Sequence, residues 1–246
     1  MQTKTENKQE NHEFYLTCER YYIFELLTFA AGMMGLYTLH LRGGVFCNAQ
    51  TGNIALMALE IGKGNFREGI YYLIPFIAYV AGTVTSEIMP NKIRHLLPIR
   101  WDTFLILIEI IVLLCVGFIP LSWPDQIVQI IINFICSMQF NTFRQAESIA
   151  MATTFLTAHV RQFGVHLTHY LRNRDKETGK KLRRHFQIIL VFFIGGVLVT
   201  FAGEIFTHPE RSIWLALIPL SICFALMLYS DLVTERTRLN QKPHGH

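Results

Sequence analysis

Asn48, Gln50, Thr51, Gly52 and Asn53 crowd into the stretch GGVFCNAQTGNIALMALEIG at 43–62. A second concentration follows at Gln139, Asn141 and Arg144, and a third at Thr153, Thr154 and Thr157. Amides, hydroxyls and a guanidinium supply hydrogen-bond donors and acceptors rather than a nucleophile–base pair. Their chemistry is recognition: Arg144 suits an anionic group, and Gly52 lets backbone approach closely. A short half-helix over 48–61 would add free N–H groups and a positive dipole end at its start. The competing reading makes the amides glue between helices and has the threonines bond back to their own helix.

Glu109 lies in the middle of the apolar stretch DTFLILIEIIVLLCVGF. A charge near a bilayer centre costs roughly 2.5–3.5 kcal/mol, so it calls for a cavity or a partner, with Arg144 the candidate partner. Glu25, Glu87 and Glu204 sit nearer the ends of apolar runs, where snorkelling accounts for them. His166 and His169 are one helical turn apart with His159 before them, yet no acid or cysteine completes a metal shell. The terminal KPHGH is a weaker candidate still, so no metal and no cofactor is assigned. HExxH, Gly-x-Ser-x-Gly, paired catalytic aspartates and phosphate-binding glycine loops are all missing, and the chain reads as a non-enzyme.

The elements that must hold these residues are apolar. Of 246 residues 51% are hydrophobic and 16% charged, and long apolar runs recur at 21–41, 69–89, 103–121, 127–143, 186–206 and 213–229. Each approaches the ~20 residues that a membrane-crossing helix needs. The expected fold is all-α: a polytopic membrane helical bundle with about six full spans and two short half-helices or re-entrant helices. It comprises a polar tail at 1–20, one integral membrane domain at 21–232 and a basic tail at 233–246. The first twenty residues lack the basic-then-apolar layout of a cleaved signal peptide. The five cysteines at 18, 47, 115, 136 and 223 are scattered and read as small buried apolar residues without a disulfide framework.

The net charge of +4 reports topology rather than nucleic-acid binding. Basic residues gather at Lys92, Arg94 and Arg100, at seven positions between Arg172 and Arg184, and at Arg236, Arg238 and Lys242. The positive-inside rule puts all three groups, and both termini, in the cytoplasm of a bacterial cell whose plasma membrane the chain crosses. The connections 120–126 and 207–212 face outward, with Trp123 and Trp214 in an interfacial belt. Two segments then become surplus to the crossing count: 48–61, too short to span, and 148–167, interrupted by polar residues. Each half, 21–122 and 126–232, reads as span, short polar segment, span, span, with opposite orientation. That is an inverted-topology repeat, supported by hydropathy and by faint echoes such as TSEI at 85–88 against AGEI at 202–205.

The residues also carry a likeness. Val45, Phe46, Thr51, Gly52 and Asn53, followed by Met138, Gln139, Phe143, Arg144, Ala152, Thr153, Thr154 and Thr157, resemble the paired signatures of the YoaK-like family of bacterial multipass membrane proteins. The similarity runs from about 21 to 232. It implies a membrane fold and no particular reaction. Two departures stand out: the second triplet is Thr157-Ala158-His159, without its glycine, and the acid that many relatives carry near Gly35 is missing. A proton- or cation-handling role resting on that acid therefore does not carry over.

These residues together predict a transporter or channel for a small polar or anionic solute. Its site would lie between the two short helices, with Thr51, Gly52 and Asn53 facing the interior. A non-transporting scaffold is the alternative, and an intramembrane enzyme the third choice. The lipid bilayer is the one expected partner besides the solute, and nothing in the sequence sets an oligomeric state.

Overall fold

Residues 21–41 contain no proline and few polar groups, and they form one continuous helix, α1 (Tyr21–Leu41). The computed structural model describes residues 14–93, 98–154, 156–239 and 241–244. Most of the N-terminal tail, Arg94 of the first basic loop and the last two residues of KPHGH lie outside that set. After α1 come two shorter helices, α2 (Gln50–Gly62) and α3 (Phe66–Tyr71), then α4 (Leu73–Ile93), α5 (Trp101–Val116) and α6 (Asp125–Thr142). A two-residue hairpin, β1 (Gln145–Ala146) with β2 (Ile149–Ala150), leads to α7 (Leu156–Asn173), α8 (Lys176–Ile205) and α9 (Leu217–Tyr229). Pro75 falls in the first turn of α4, where a missing N–H costs nothing, and Pro90 near its end.

Among the described residues four helical stretches are long and apolar enough to cross a membrane: Tyr21–Leu41, Phe66–Pro90, Lys176–Ile205 and Pro209–Thr234. The expected spans 103–121 and 127–143 are realised as helices of 16 and 18 residues. The reason is visible in α6, whose Gln129, Asn133 and Ser137 recur every fourth residue and are all buried. Its polar stripe faces the protein, not lipid.

Packing pairs the helices across the chain. The most extensive contacts join α1 to α8 and α4 to α6. Both are glycine-mediated: a Cβ on Gly32 would lie 2.3 Å from the Phe192 carbonyl oxygen, one on Gly195 2.4 Å from that of Phe29, and one on Gly82 2.2 Å from that of Phe134. Small residues let backbones approach where lipid offers no hydrophobic drive. Helices α5 and α9 pack on each other between the two pairs, with α9 also against α1 and α5 also against α6.

Polar clasps close the two ends. At one, buried Arg100 binds Asp231 (3.4 Å) and Glu235 (3.1 Å), and the Thr17 backbone N–H and hydroxyl both donate to Glu235 (2.8 Å). Arg184 pairs with Glu147 of the hairpin turn at the same end, and the Tyr21 hydroxyl donates to the Arg184 carbonyl. Arg100 is thus a buried cross-link and not the surface loop charge that the sequence predicts. At the opposite end Arg42, fully buried, donates to the Tyr37 hydroxyl (3.1 Å) and the Pro120 carbonyl (3.1 Å), 4.0 Å from Asp125. Trp214 sits over Gly117 and donates to the Leu114 carbonyl (3.1 Å). Four cysteines are buried, whereas Cys115 is exposed.

Candidate functional site

From the Arg42 end, residues 43–49 descend without helical structure beside α1 and α6. Gly43 and Gly44 turn the chain with φ of 73° and 71°. Asn48 reaches the middle of α1, where its Nδ2 donates to the Ala31 carbonyl (3.4 Å) and fills the space that a side chain at Gly35 would need. Helix α2 then turns back toward its starting end. Its first turn is tied down by side chains: Asn53 accepts from the Phe46 N–H (2.9 Å) and donates to the Phe46 carbonyl (2.7 Å) and to Gln50 (3.1 Å). Gln50 donates to Asn133 (2.9 Å), Asn133 to the Gln129 carbonyl (2.8 Å), and Gln129 to the Arg42 carbonyl (2.7 Å) and the Tyr71 hydroxyl. One continuous polar chain thus joins α2 to α6 and to the end of α1.

The second short element mirrors this descent from the opposite end. The hairpin turn at Glu147 and Ser148 has positive φ (46° and 62°), and 151–154 then run inward. Thr153 and Thr154 are buried, and the Thr153 hydroxyl has no hydrogen-bond partner among the described residues. Thr154 faces Tyr79 of α4, which also lies beside Cys47 and Cys136. Cys47 belongs to the first descending segment, so the two segments meet around Tyr79 and Cys136. Glu109, on α5 and fully buried, lies by Cys136 and Cys223, and neither carboxyl oxygen has a hydrogen-bond partner among the described residues.

A cavity of about 370 Å³ opens outside the threonines, between the end of α6, the hairpin, α7 and α8. Asn141, Arg144, His159, Arg161, Gln162 and His185 give it its polar lining, which also includes Ala152, the neighbour of Thr153. Arg144 bonds the Asn141 carbonyl (2.7 Å) and pairs with Glu87 (2.8 Å), while Asn141 donates to Ser86 (2.9 Å). His159 and His185 face each other Nδ1 to Nδ1 at 3.0 Å, and the His159 Nε2 sits 3.0 Å from the Ala152 carbonyl oxygen. Burial holds His159 below the ordinary histidine range.

Several expected residues sit elsewhere. Thr51 is exposed on α2, because a helix that begins at Gln50 turns Gln50 and Asn53 inward and Thr51 out. Thr157 is exposed for the same reason, one residue into α7. Gly52 is half-buried against the Phe46 ring. Gln139 is buried and donates to the Leu27 carbonyl (3.3 Å), a contact between α6 and α1 apart from the cavity. Arg144 partners Glu87 and not Glu109, which lies deeper on another helix. Of the three histidines weighed as metal ligands, His159 and His166 both contact His185, with the His166 ring stacked at 5.4 Å, and His169 stays exposed. His185, Tyr79 and the buried amides Gln129 and Asn133 are the residues that sequence reasoning passed over. The fourfold spacing of 129, 133 and 137 is the one signal that could have found the last two.

The profile of a family described as "Protein of unknown function (DUF1275)" matches residues 23–226. The UPF0700 transmembrane protein YoaK of Bacillus subtilis (strain 168) is 22% identical over 215 residues, covering 85% of this chain and 93% of that protein. No solved structure matches the chain.

Proposed function

We propose, from the premise that this chain belongs to the DUF1275 family, that this membrane protein carries a small anionic solute between two gated approaches that meet at Tyr79 and Cys136. One observation carries the reading. Non-helical segments descend from opposite ends of the bundle, and at their meeting point one keeps a buried hydroxyl, Thr153, without a hydrogen-bond partner among the described residues. Irregular backbone at membrane depth is tolerated where protein buries it or where it lines a wet path. The 370 Å³ cavity is the approach from one end. Arg144 and Arg161 make it attractive to anions, and the threonine hydroxyls receive the solute beyond it.

The packing supports an inverted-repeat architecture with six crossings. If α1, α2, α4 and α5 correspond to α6, α7, α8 and α9, the α1–α8 pair becomes α6–α4, the other extensive contact. The α5–α9 pair maps onto itself, and α1–α9 becomes α6–α5. This is the arrangement in which sites form at the repeat interface. The role is transport rather than catalysis, in the plasma membrane, with the basic hairpin on the cytoplasmic side.

Flux of nitrate, formate and phosphate into vesicles containing the purified protein tests this. The double variant Thr153→Val, Thr154→Val should keep its thermal stability and lose flux, and Arg144→Gln should weaken the apparent affinity. No flux across the panel, or unchanged flux in the double variant, overturns it. The paired network around Asn53 favours a second reading, a scaffold whose amides only lock helices, and that protein would show no flux at all.

A further inference from the structure

Away from the proposed path, α7 and the first turns of α8 form a hairpin with its own chemistry. A cleft of about 730 Å³ opens between them. Arg174, Lys176, Lys180 and Arg183 line it, and no acid does. The neighbouring acids lie outside the lining, although Glu25 and Glu147 are close enough to act on Arg183 and Lys180 respectively. Asp175 caps α8 by accepting from the Thr178 N–H (2.7 Å), and Glu147 pairs with Arg184; Glu177 is exposed on the first turn of α8 outside the lining.

The walls are built. The Tyr170 ring lies over Gly179, where a Cβ would come within 2.9 Å of it. The Phe163 and Phe186 rings pack at 5.7 Å below. Arg174 turns the chain with φ 51°, and its N–H donates to the Tyr170 carbonyl (2.8 Å). The floor also has a direction. Phe186 is the first of an exposed apolar face on α8 that continues through Leu190, Phe193 and Val197, the part long and apolar enough to cross a membrane.

We propose that this cleft holds the phosphate headgroup of an anionic phospholipid, with the acyl chains lying along that exposed face of α8. Four bases over an aromatic floor match a headgroup attached to a hydrocarbon tail. That apolar face is the part of α8 long and apolar enough to cross a membrane, so the bases above it stand at the depth of the lipid headgroups. Basic pockets at the membrane–water boundary attract anionic lipid with about 1 kcal/mol per base, close to fivefold in affinity for each charge.

The test is retention of dioleoylphosphatidylglycerol by the full-length protein in detergent, counted by native mass spectrometry beside phosphatidylcholine. The triple variant Lys176→Gln, Lys180→Gln, Arg183→Gln should bind the anionic lipid on the order of a hundredfold more weakly. A control that removes as many charges outside the cleft, Arg172→Gln, Lys181→Gln, Arg236→Gln, should bind within a few-fold of wild type. The charge-keeping Lys176→Arg, Lys180→Arg should retain lipid, which separates lost recognition from lost folding. Wild-type retention in the triple variant, or equal loss in the control, overturns the proposal. So does inorganic phosphate that raises the thermal midpoint as much as the lipid does, since the ligand would then be a soluble anion.

Discussion

The two descending segments have the same shape and opposite treatment of their polar groups. The side-chain amides of Asn53, Gln50 and Asn133 are fully engaged: two bonds fix the Phe46 backbone, one joins Asn53 to Gln50, and Gln50 donates to Asn133, which donates to the Gln129 carbonyl. At the far end of this chain the Gln129 side-chain oxygen has no hydrogen-bond partner among the described residues. The Thr153 hydroxyl is buried with no hydrogen-bond partner among the described residues, and a cavity stands beside it. Satisfied buried polar groups rigidify, while an unsatisfied one costs about 1–3 kcal/mol unless it has another use. The first segment is a lock built from amides and the second an aperture lined by threonine hydroxyls.

That contrast breaks most visibly at Asn53. Asn53→Leu strands the N–H and carbonyl of Phe46 in a part-buried site, and should lower stability by about 3 kcal/mol, read as a fall in thermal midpoint in detergent. A loss under ~1 kcal/mol would mean that the first segment is no lock. The frame around both segments should respond evenly: Gly32→Val and Gly82→Val each push a side chain into a neighbouring carbonyl, so each should cost about 2 kcal/mol. Thr153→Val should leave stability within ~1 kcal/mol of wild type, or raise it, while reducing solute flux about tenfold. An equal loss of stability at Thr153 and Asn53 would erase the distinction.

The smallest effect is a pH dependence at the hairpin turn that begins the second segment. Burial opposes ionisation of Glu147, but the Arg184 guanidinium outweighs it and holds the carboxyl below the usual glutamate range. A depressed folded-state value adds stability above the unfolded value near 4.5, and that contribution disappears as pH falls through the lower folded one. Thermal midpoints of wild type and Glu147→Gln should therefore converge as pH falls below about 4.5 and separate above it.

Much of this was legible because lipid leaves the chain few options. The run 21–41 is α1 to the residue, and the polar-then-apolar pattern at 48–61 is α2 within two residues. Elsewhere boundaries moved for local reasons. The segment 148–167 begins as a hairpin turn with positive φ at Glu147 and Ser148, and its helix starts only at Leu156. Helix α8 begins ten residues ahead of the apolar run 186–206, since lysine and arginine propagate a helix as readily as leucine does. What stayed hidden depended on partners far along the chain. Arg100 reads as a loop charge until Asp231 is seen beside it, and Arg42 draws no notice until Pro120 is.

The glycine contact between Gly32 and Phe192 also sets a timetable for biosynthesis. Its two sides are about 160 residues apart, which at ~5–20 residues per second of synthesis is roughly 10–30 s of translation. During that interval α1 resides in the bilayer with its tightest face turned to lipid, awaiting a helix not yet made. The α4–α6 pair closes sooner, since Gly82 and Phe134 are about 50 residues apart. The newborn chain is therefore most open to capture by membrane chaperones and proteases through its first helix, and remains so until α8 arrives.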